Sequence, residues 1–206
     1  RMKLLTLNVH AWLEDNQAEK IDIIADTIVE KGYDIVALQE VNQLMSAPAI
    51  SQALKQDNYG VVLLNKINQR ATQKYSLFWS NSHIGYDKYD EGIAFLTHLP
   101  VYEVDAFYCS QHQRLDSILS RKILGLTVEY QGQLVDCYSC HINLPNCAGE
   151  NQLDNIRNIV ERSQSRNLKI LMGDFNTDAI SDPNAYQKIK SLGLLDTFEM
   201  AEQKDS

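Results

Sequence analysis

The stretch Leu168–Asn176, LKILMGDFN, reads as an apolar strand that runs into Gly173 and then presents Asp174 and Asn176 around Phe175. Strand alternation sends residues two apart to the same face, so the two polar side chains are expected to leave together and share one ligand. A carboxylate and a carboxamide at that spacing can orient a nucleophile or metal and donate to an anionic oxygen. A local role competes, because Asp and Asn also follow buried strands in Asx-turns.

Other strands end in polar groups in the same way. MKLLTLNVH is an opening strand that closes on Asn8, and DIVALQEV is a short buried strand that closes on Glu40. Between them Ile21, Ile24, Ala25 and Ile28 form one helical stripe with Gly32 as its stop, giving β-α-β. A second helical stretch is expected near 46–57. Strand-like runs follow: YGVVLLN, YSLFWS, GIAFLTH, YEVDAFYC, KILGLTVEY and QLVDCYSCHI, with Gly132 turning a hairpin at EYQGQL. A further helix, NQLDNIRNIVERSQ, carries Leu153, Ile156 and Val160 on one face. Asp182-Pro183 opens a last helix, and Gly193 closes it. Helices alternating with runs of strands predict an α/β sandwich, two sheets packed face to face with helices outside.

The 206 residues suit a single domain spanning 1–206. Acidic residues outnumber basic ones 27 to 19, a net charge of −8, which disfavours a general duplex binder without excluding a metal-assisted nuclease. The apolar runs are too short to span a bilayer, and no apolar signal segment follows Arg1, so the expected location is cytoplasmic. The four cysteines are then expected as free thiols.

CYSCH, 137–141, matches the C-x-x-C-H pattern of haem attachment and half of a zinc site. Within an alternating strand, side chains three apart lie on opposite faces and roughly 10 Å apart. Cys137 and Cys140 are therefore expected as small strand residues, leaving His141 at the strand's C-terminal end, where α/β folds collect functional groups.

LNVH, DIVALQEV, EGIAFLTHLPV, CHINL and GDFN occur in this order along nearly the whole chain. The set resembles the endonuclease/exonuclease/phosphatase superfamily, the deoxyribonuclease I-like fold of metal-dependent phosphoesterases. The resemblance implies a four-layer α/β/β/α sandwich of two mixed sheets. It implies Glu40 as the principal Mg²⁺ ligand (Mn²⁺ as the alternative ion), with Asn8 beside it in the metal pocket. Asp174 and Asn176 would hold the attacking water, the metal and the phosphate. His141 would contact the scissile phosphate or act as acid. Arg121 corresponds to a basic residue preceding the same strand in some members, and Glu91 would support His141. Hard oxygen donors without a His/Cys cluster favour the same ions on independent chemical grounds.

One departure stands out. The family's last motif is a strand ending in Ser-Asp-His, and no Asp-His pair follows Asn176 here; the histidines stop at His141. The expectation is that the C-terminal strands are missing from this chain, the acidic ending providing no closing strand or helix. His10, His83, His98 and His112 are not placed to substitute for the base.

YDEGIAFLTHLPV is most similar to bacterial sphingomyelinase-like members, and the acidic balance favours a small or lipid-head-group phosphoester, hydrolysed by a monomer without a membrane span. Two readings compete with it. One is a DNA endonuclease or abasic-site nuclease, whose nucleic acid would need the basic run NKINQRATQKY (Lys66, Arg70, Lys74). The other is a binding module that lost the base.

Overall fold

A parallel β-α-β unit opens the chain: β1 (Leu4–Asn8), α1 (Gln17–Lys31) and β2 (Ile35–Leu44), with Asn8 opposite Gln39. In this computed structural model, which describes residues 1–178 and 180–200, the unit joins a four-stranded sheet in the order β1-β2-β4-β3. Its other strands are β3 (Ser76–Gly85) and β4 (Tyr89–Thr97), an antiparallel hairpin. The second sheet runs β5-β6-β7-β8, from β5 (Val101–Tyr108), β6 (Lys122–Tyr130), β7 (Gln133–His141) and β8 (Leu168–Asp174). There β7 and β8 are parallel, and His141 lies opposite Asp174. Each sheet is mixed, so the architecture is the α/β sandwich expected.

Alternation in the strands builds three apolar layers. Ile35, Ala37, Ile93 and Phe95 of the first sheet meet Leu124, Leu126 and Cys137 of the second between the sheets. Val36, Leu38, Ala94 and Leu96 face the other way, against Ile21, Ala25 and Ile28 of α1 and Leu63 and Ile67 of α2 (Tyr59–Arg70). Behind the second sheet, Ile123, Tyr138 and Cys140 pack on Ile156 and Ile159 of α3 (Gln152–Arg162). Burying each such aliphatic side chain stabilises by about 1.5–3 kcal/mol relative to leaving it in water.

Local expectations changed at three places. Residues 46–57 form turns and one isolated bridge, Ala49 to Lys55, and the helix lies further on. YGVVLLN, expected as a strand, starts that helix: Asn58 caps it by accepting from the Gly60 and Val61 amides. The buried Tyr59, Leu63 and Ile67 then recur every fourth residue, a helical spacing hidden behind the β-branched Val61-Val62 pair. In α3 the buried face is Gln152, Asn155, Ile156 and Ile159, not Leu153, Ile156 and Val160. Its two buried polar residues satisfy loop carbonyls: Gln152 those of Asn143 and Phe175, Asn155 that of Cys109.

The expected C-terminal features are only partly met. Asp182 caps α4 (Pro183–Lys190) on the Ala185 amide, with Gly193 three residues past its end. The ending read as lacking a closing helix forms a short one, α5 (Thr197–Met200), and 201–206 lie outside the described residues. Among the described residues no helix is long and apolar enough to cross a membrane.

Candidate active site

Two parallel strand pairs, one per sheet, end at the same end of the sandwich. Asn8 closes β1, and Asp174 closes β8; the Asn8 Nδ2 donates to Asp174 Oδ2 at 3.4 Å. His141 ends β7 with its Nε2 3.9 Å from the same Asp174 oxygen, too long for a hydrogen bond. A cleft of about 330 Å³ opens here, lined by Asn8, Gln39, Gly173, Asp174 and Asn176 among others. A larger hollow, about 500 Å³, lies on the outer face of the second sheet, but its Arg162 is paired with Asp105. The chemistry-bearing side chains sit at the strand ends instead.

Glu40 reaches the site through a bulge. The β2–β4 register slips between Leu38 and Val41, and Glu40 adopts φ 53°, the left-handed region unfavourable to a side chain by about 1 kcal/mol or more. Val41 returns to the outer core, leaving Glu40 as the extra residue assigned to neither face. Its carboxylate, 15% exposed, lies 3.1 Å from His10 Nδ1. Preceding it, Gln39 is buried between the sheets, donating to Thr6 Oγ1 and Ser139 Oγ.

Gly173 has φ 148°, and a Cβ there would lie 1.9 Å from the Cys140 carbonyl oxygen. Only glycine lets β8 approach β7 this closely while presenting Asp174. Alternation stops at Asp174. Asn176, at φ 48°, donates its backbone amide to Asp174 Oδ1 at 2.9 Å and its Nδ2 to the Ile142 carbonyl at 2.7 Å. The Asx-turn is thus real, and both side chains still line the cleft. One Asn176 donor, however, is spent on Ile142, just past the end of β7.

Arg121 precedes β6 and touches His141: its Nη1 donates to His141 Nδ1 at 3.3 Å, and its Nε to Asn143 Oδ1 at 3.0 Å. Arginine has no acceptor, so His141 Nδ1 is the lone-pair nitrogen and Nε2 carries the proton. Burial and then the Arg121 charge hold the His141 pKa down to about 4, with Asp174 opposing. His141 is therefore a neutral donor.

Glu91 does not support His141 as expected. It pairs with His83, Oε2 to Nε2 at 3.1 Å. Burial and then the nearby Glu40 charge raise its pKa to about 7, Arg121 opposing. Sequence reading missed His83, His10, Gln39, Asn143 and Gln152. For Asn143, part of CHINL, the position was on view without a role. The remaining histidines lie elsewhere: His98 on Asp34 and His112 on Glu150.

The donors available to a cation are the Glu40 and Asp174 carboxylates and the Asn8 side chain, all oxygen. Two carboxylates close enough for Glu40 to push Glu91 up mark an excess of negative charge. Among the described residues no three His, Cys, Asp or Glu cluster as metal ligands. The residues thus fit a hard, hydrated cation held by one or two carboxylates, and not a closed zinc cage.

Cys137 lies between the sheets and Cys140 beneath α3, on opposite faces of β7. All four cysteines are free thiols.

The chain belongs to the endonuclease/exonuclease/phosphatase family, whose sequence profile matches residues 5–200. A protein of that family from Leptotrichia buccalis is 53% identical over 100% of this chain and 80% of its own, with a TM-score of 0.97. Fold similarity extends to a mannosyl-6-phosphatase from Bacteroides thetaiotaomicron (17% identity, 97% and 74% covered, TM-score 0.68). It also extends to a humanized D. rerio TDP2 (15% identity, 89% and 66% covered, TM-score 0.55). At these identities the likeness concerns the fold alone. A search of curated proteins gave no match.

Proposed function

We propose that this chain hydrolyses a phosphomonoester or phosphodiester carried by a small molecule or lipid head group, by attack of water assisted by Mg²⁺ or Mn²⁺. The observation that carries the reading is the approach of Asn8 and His141 to one Asp174 oxygen at one end of the sandwich, with Glu40 tied in through His10, whose backbone amide donates to Asn8 Oδ1. Glu40, with Asn8 and Asp174 beside it, would hold the ion, which would neutralise the phosphate and stabilise charge in the transition state.

The side chains divide the remaining work. His141, neutral and fixed by Arg121, donates from Nε2 to a phosphate oxygen. Asp174 accepts a proton of the attacking water through a carboxylate oriented by the Asn8 amide and the Asn176 backbone. Arg121 adds positive charge next to His141. Charge decides between a small ester and a polynucleotide here. With a net charge of −8 and two cations of the basic run paired, a long polyanion is disfavoured: Lys66 is bound to Asp22, and Arg70 to Asp22 and Asp26 of α1.

The test compares initial rates on p-nitrophenyl phosphate, bis(p-nitrophenyl) phosphate and phosphocholine esters with nicking of supercoiled plasmid. Faster turnover of the small esters supports the reading. Nicking without small-ester hydrolysis replaces it with a nuclease.

A further inference from the structure

Arg121 stands half-buried where β6 begins, and its side chain rests on neutral groups. Its Nε donates to Asn143 Oδ1 at 3.0 Å, and its Nη1 to His141 Nδ1 at 3.3 Å. Other arginines of the chain sit on carboxylates: Arg70 on Asp22 and Asp26, Arg114 on Asp116, Arg157 on Asp154 and Arg162 on Asp105. Among the described residues no carboxylate pairs with Arg121 and nothing binds its Nη2, although acidic residues outnumber basic ones 27 to 19. A half-buried guanidinium without a counter-ion is costly, and a carboxylate in place of Asn143 would relieve it.

Asn143 is 1% exposed, and both ends of its amide are fixed. Its Nδ2 donates to the Leu119 carbonyl at 2.9 Å, which leaves Oδ1 as the acceptor for Arg121. The Arg121 backbone is held as well. Its amide donates to Ser110 Oγ, and its carbonyl accepts from the Cys109 amide. The side chain is thus anchored at its root and at Nε, with the outer edge of the fork left open.

We propose that Asn143 is a positioning residue of an anion subsite: it braces Arg121 beside His141 through a neutral amide, leaving the guanidinium charge to a phosphate oxygen. The proposal rests on the phosphoesterase reading above. Asparagine and aspartate share one shape, and either accepts from Nε, so the difference between them is charge. An aspartate would satisfy the arginine internally through a charge-assisted pair, which a phosphate would then have to displace. The amide sets the direction of the fork and leaves it unneutralised. A planar fork of this kind matches the spacing of two phosphate oxygens. Because Nη1 already touches His141, an oxygen taken up at the open edge joins the group formed by His141 and Asp174.

The test titrates the EDTA-treated chain with inorganic phosphate by calorimetry, for wild type, Asn143→Ala, Asn143→Asp and Arg121→Ala, each with a thermal melt. Both Asn143 variants lose the bond to Leu119, so a purely structural role moves them alike. Only the aspartate places a negative charge on Arg121. The expected dissociation constant rises about threefold in Asn143→Ala and at least about 30-fold in Asn143→Asp and Arg121→Ala. Equal affinities in the two folded Asn143 variants overturn the proposal, as does a wild type that binds no phosphate at millimolar concentration. Should Asn143→Asp not fold, a double-mutant cycle decides: the effect of Asn143→Ala is expected to vanish in the Arg121→Ala background, and additive losses overturn the proposal. A wild type that binds phosphate in this order but hydrolyses no ester removes the phosphoesterase reading and leaves the subsite standing.

Discussion

Asn8, at the end of the first strand, donates from Nδ2 to Asp174, at the end of the eighth, across 3.4 Å between the edges of two different sheets. The bond is long and partly exposed, so its net contribution to stability is small, about 0.5–1 kcal/mol. Its importance is in orienting the carboxylate that receives water. Asn8→Ala is expected to melt within a few degrees of wild type while kcat/KM falls about 10- to 100-fold. Parallel thermal melts and steady-state rates check both halves of the expectation.

Gly173→Ala is expected to act through the backbone. Its methyl would meet the Cys140 carbonyl at 1.9 Å, in a conformation that strains any L side chain. Neither strand can move without losing ladder pairing, so the loss is expected to exceed about 3 kcal/mol. A denaturant midpoint near that of wild type would contradict the close approach.

Acid stability carries the signature of the buried groups. His83 and His141 are held at about 4 from 6.5, so each contributes stability that is present above 6.5 and lost as pH falls toward 4. Glu91, raised from 4.5 to about 7, has the opposite sign, losing stability as pH rises through that window. Between 4.5 and 6.5, two losses minus one gain leave a net uptake of one proton on unfolding. For the metal-free chain that predicts a slope on the order of 1 kcal/mol per pH unit, with stability falling toward acid. Glu91→Gln removes the opposing group and should steepen it about twofold; an unchanged or shallower slope in urea titrations would refute the assignment.

The thiols test what remains of the C-x-x-C-H pattern. Cys137 and Cys140 are buried on opposite faces, and burial holds the Cys137 pKa up near 12 and that of Cys140 well above the usual range. Cys109 is likewise buried, and Cys147 is half-exposed. A thiol reagent should therefore modify one cysteine in the native chain and four in denaturant. Fast reaction of two adjacent thiols would restore a redox pair.

Legibility in the sequence followed the range of the physics involved. Strand parity alone separated Cys137 from Cys140, because a period of two is local. Strand ends marked Asn8, His141 and Asp174 for the same reason, whereas the strand expected to close on Glu40 runs on to Leu44. What escaped was tertiary. Glu40 depends on a bulge whose cost is met only with β4 beside it, and no local residue announces it. Glu91 chose His83 over His141 because β3 and β4 are neighbours, and that pairing is invisible until the sheet is assembled. α2 was missed because Val61-Val62 favours strand locally, while burial of every fourth residue decides for helix.

The most direct test of the account is one rate measurement: hydrolysis of bis(p-nitrophenyl) phosphate by EDTA-stripped protein as Mg²⁺ is returned, for wild type and Glu40→Ala. The account predicts no turnover in EDTA, recovery with Mg²⁺ in wild type, and a rate at least about 100-fold lower in Glu40→Ala. Turnover that survives EDTA, or a Glu40→Ala enzyme as fast as wild type, would contradict it.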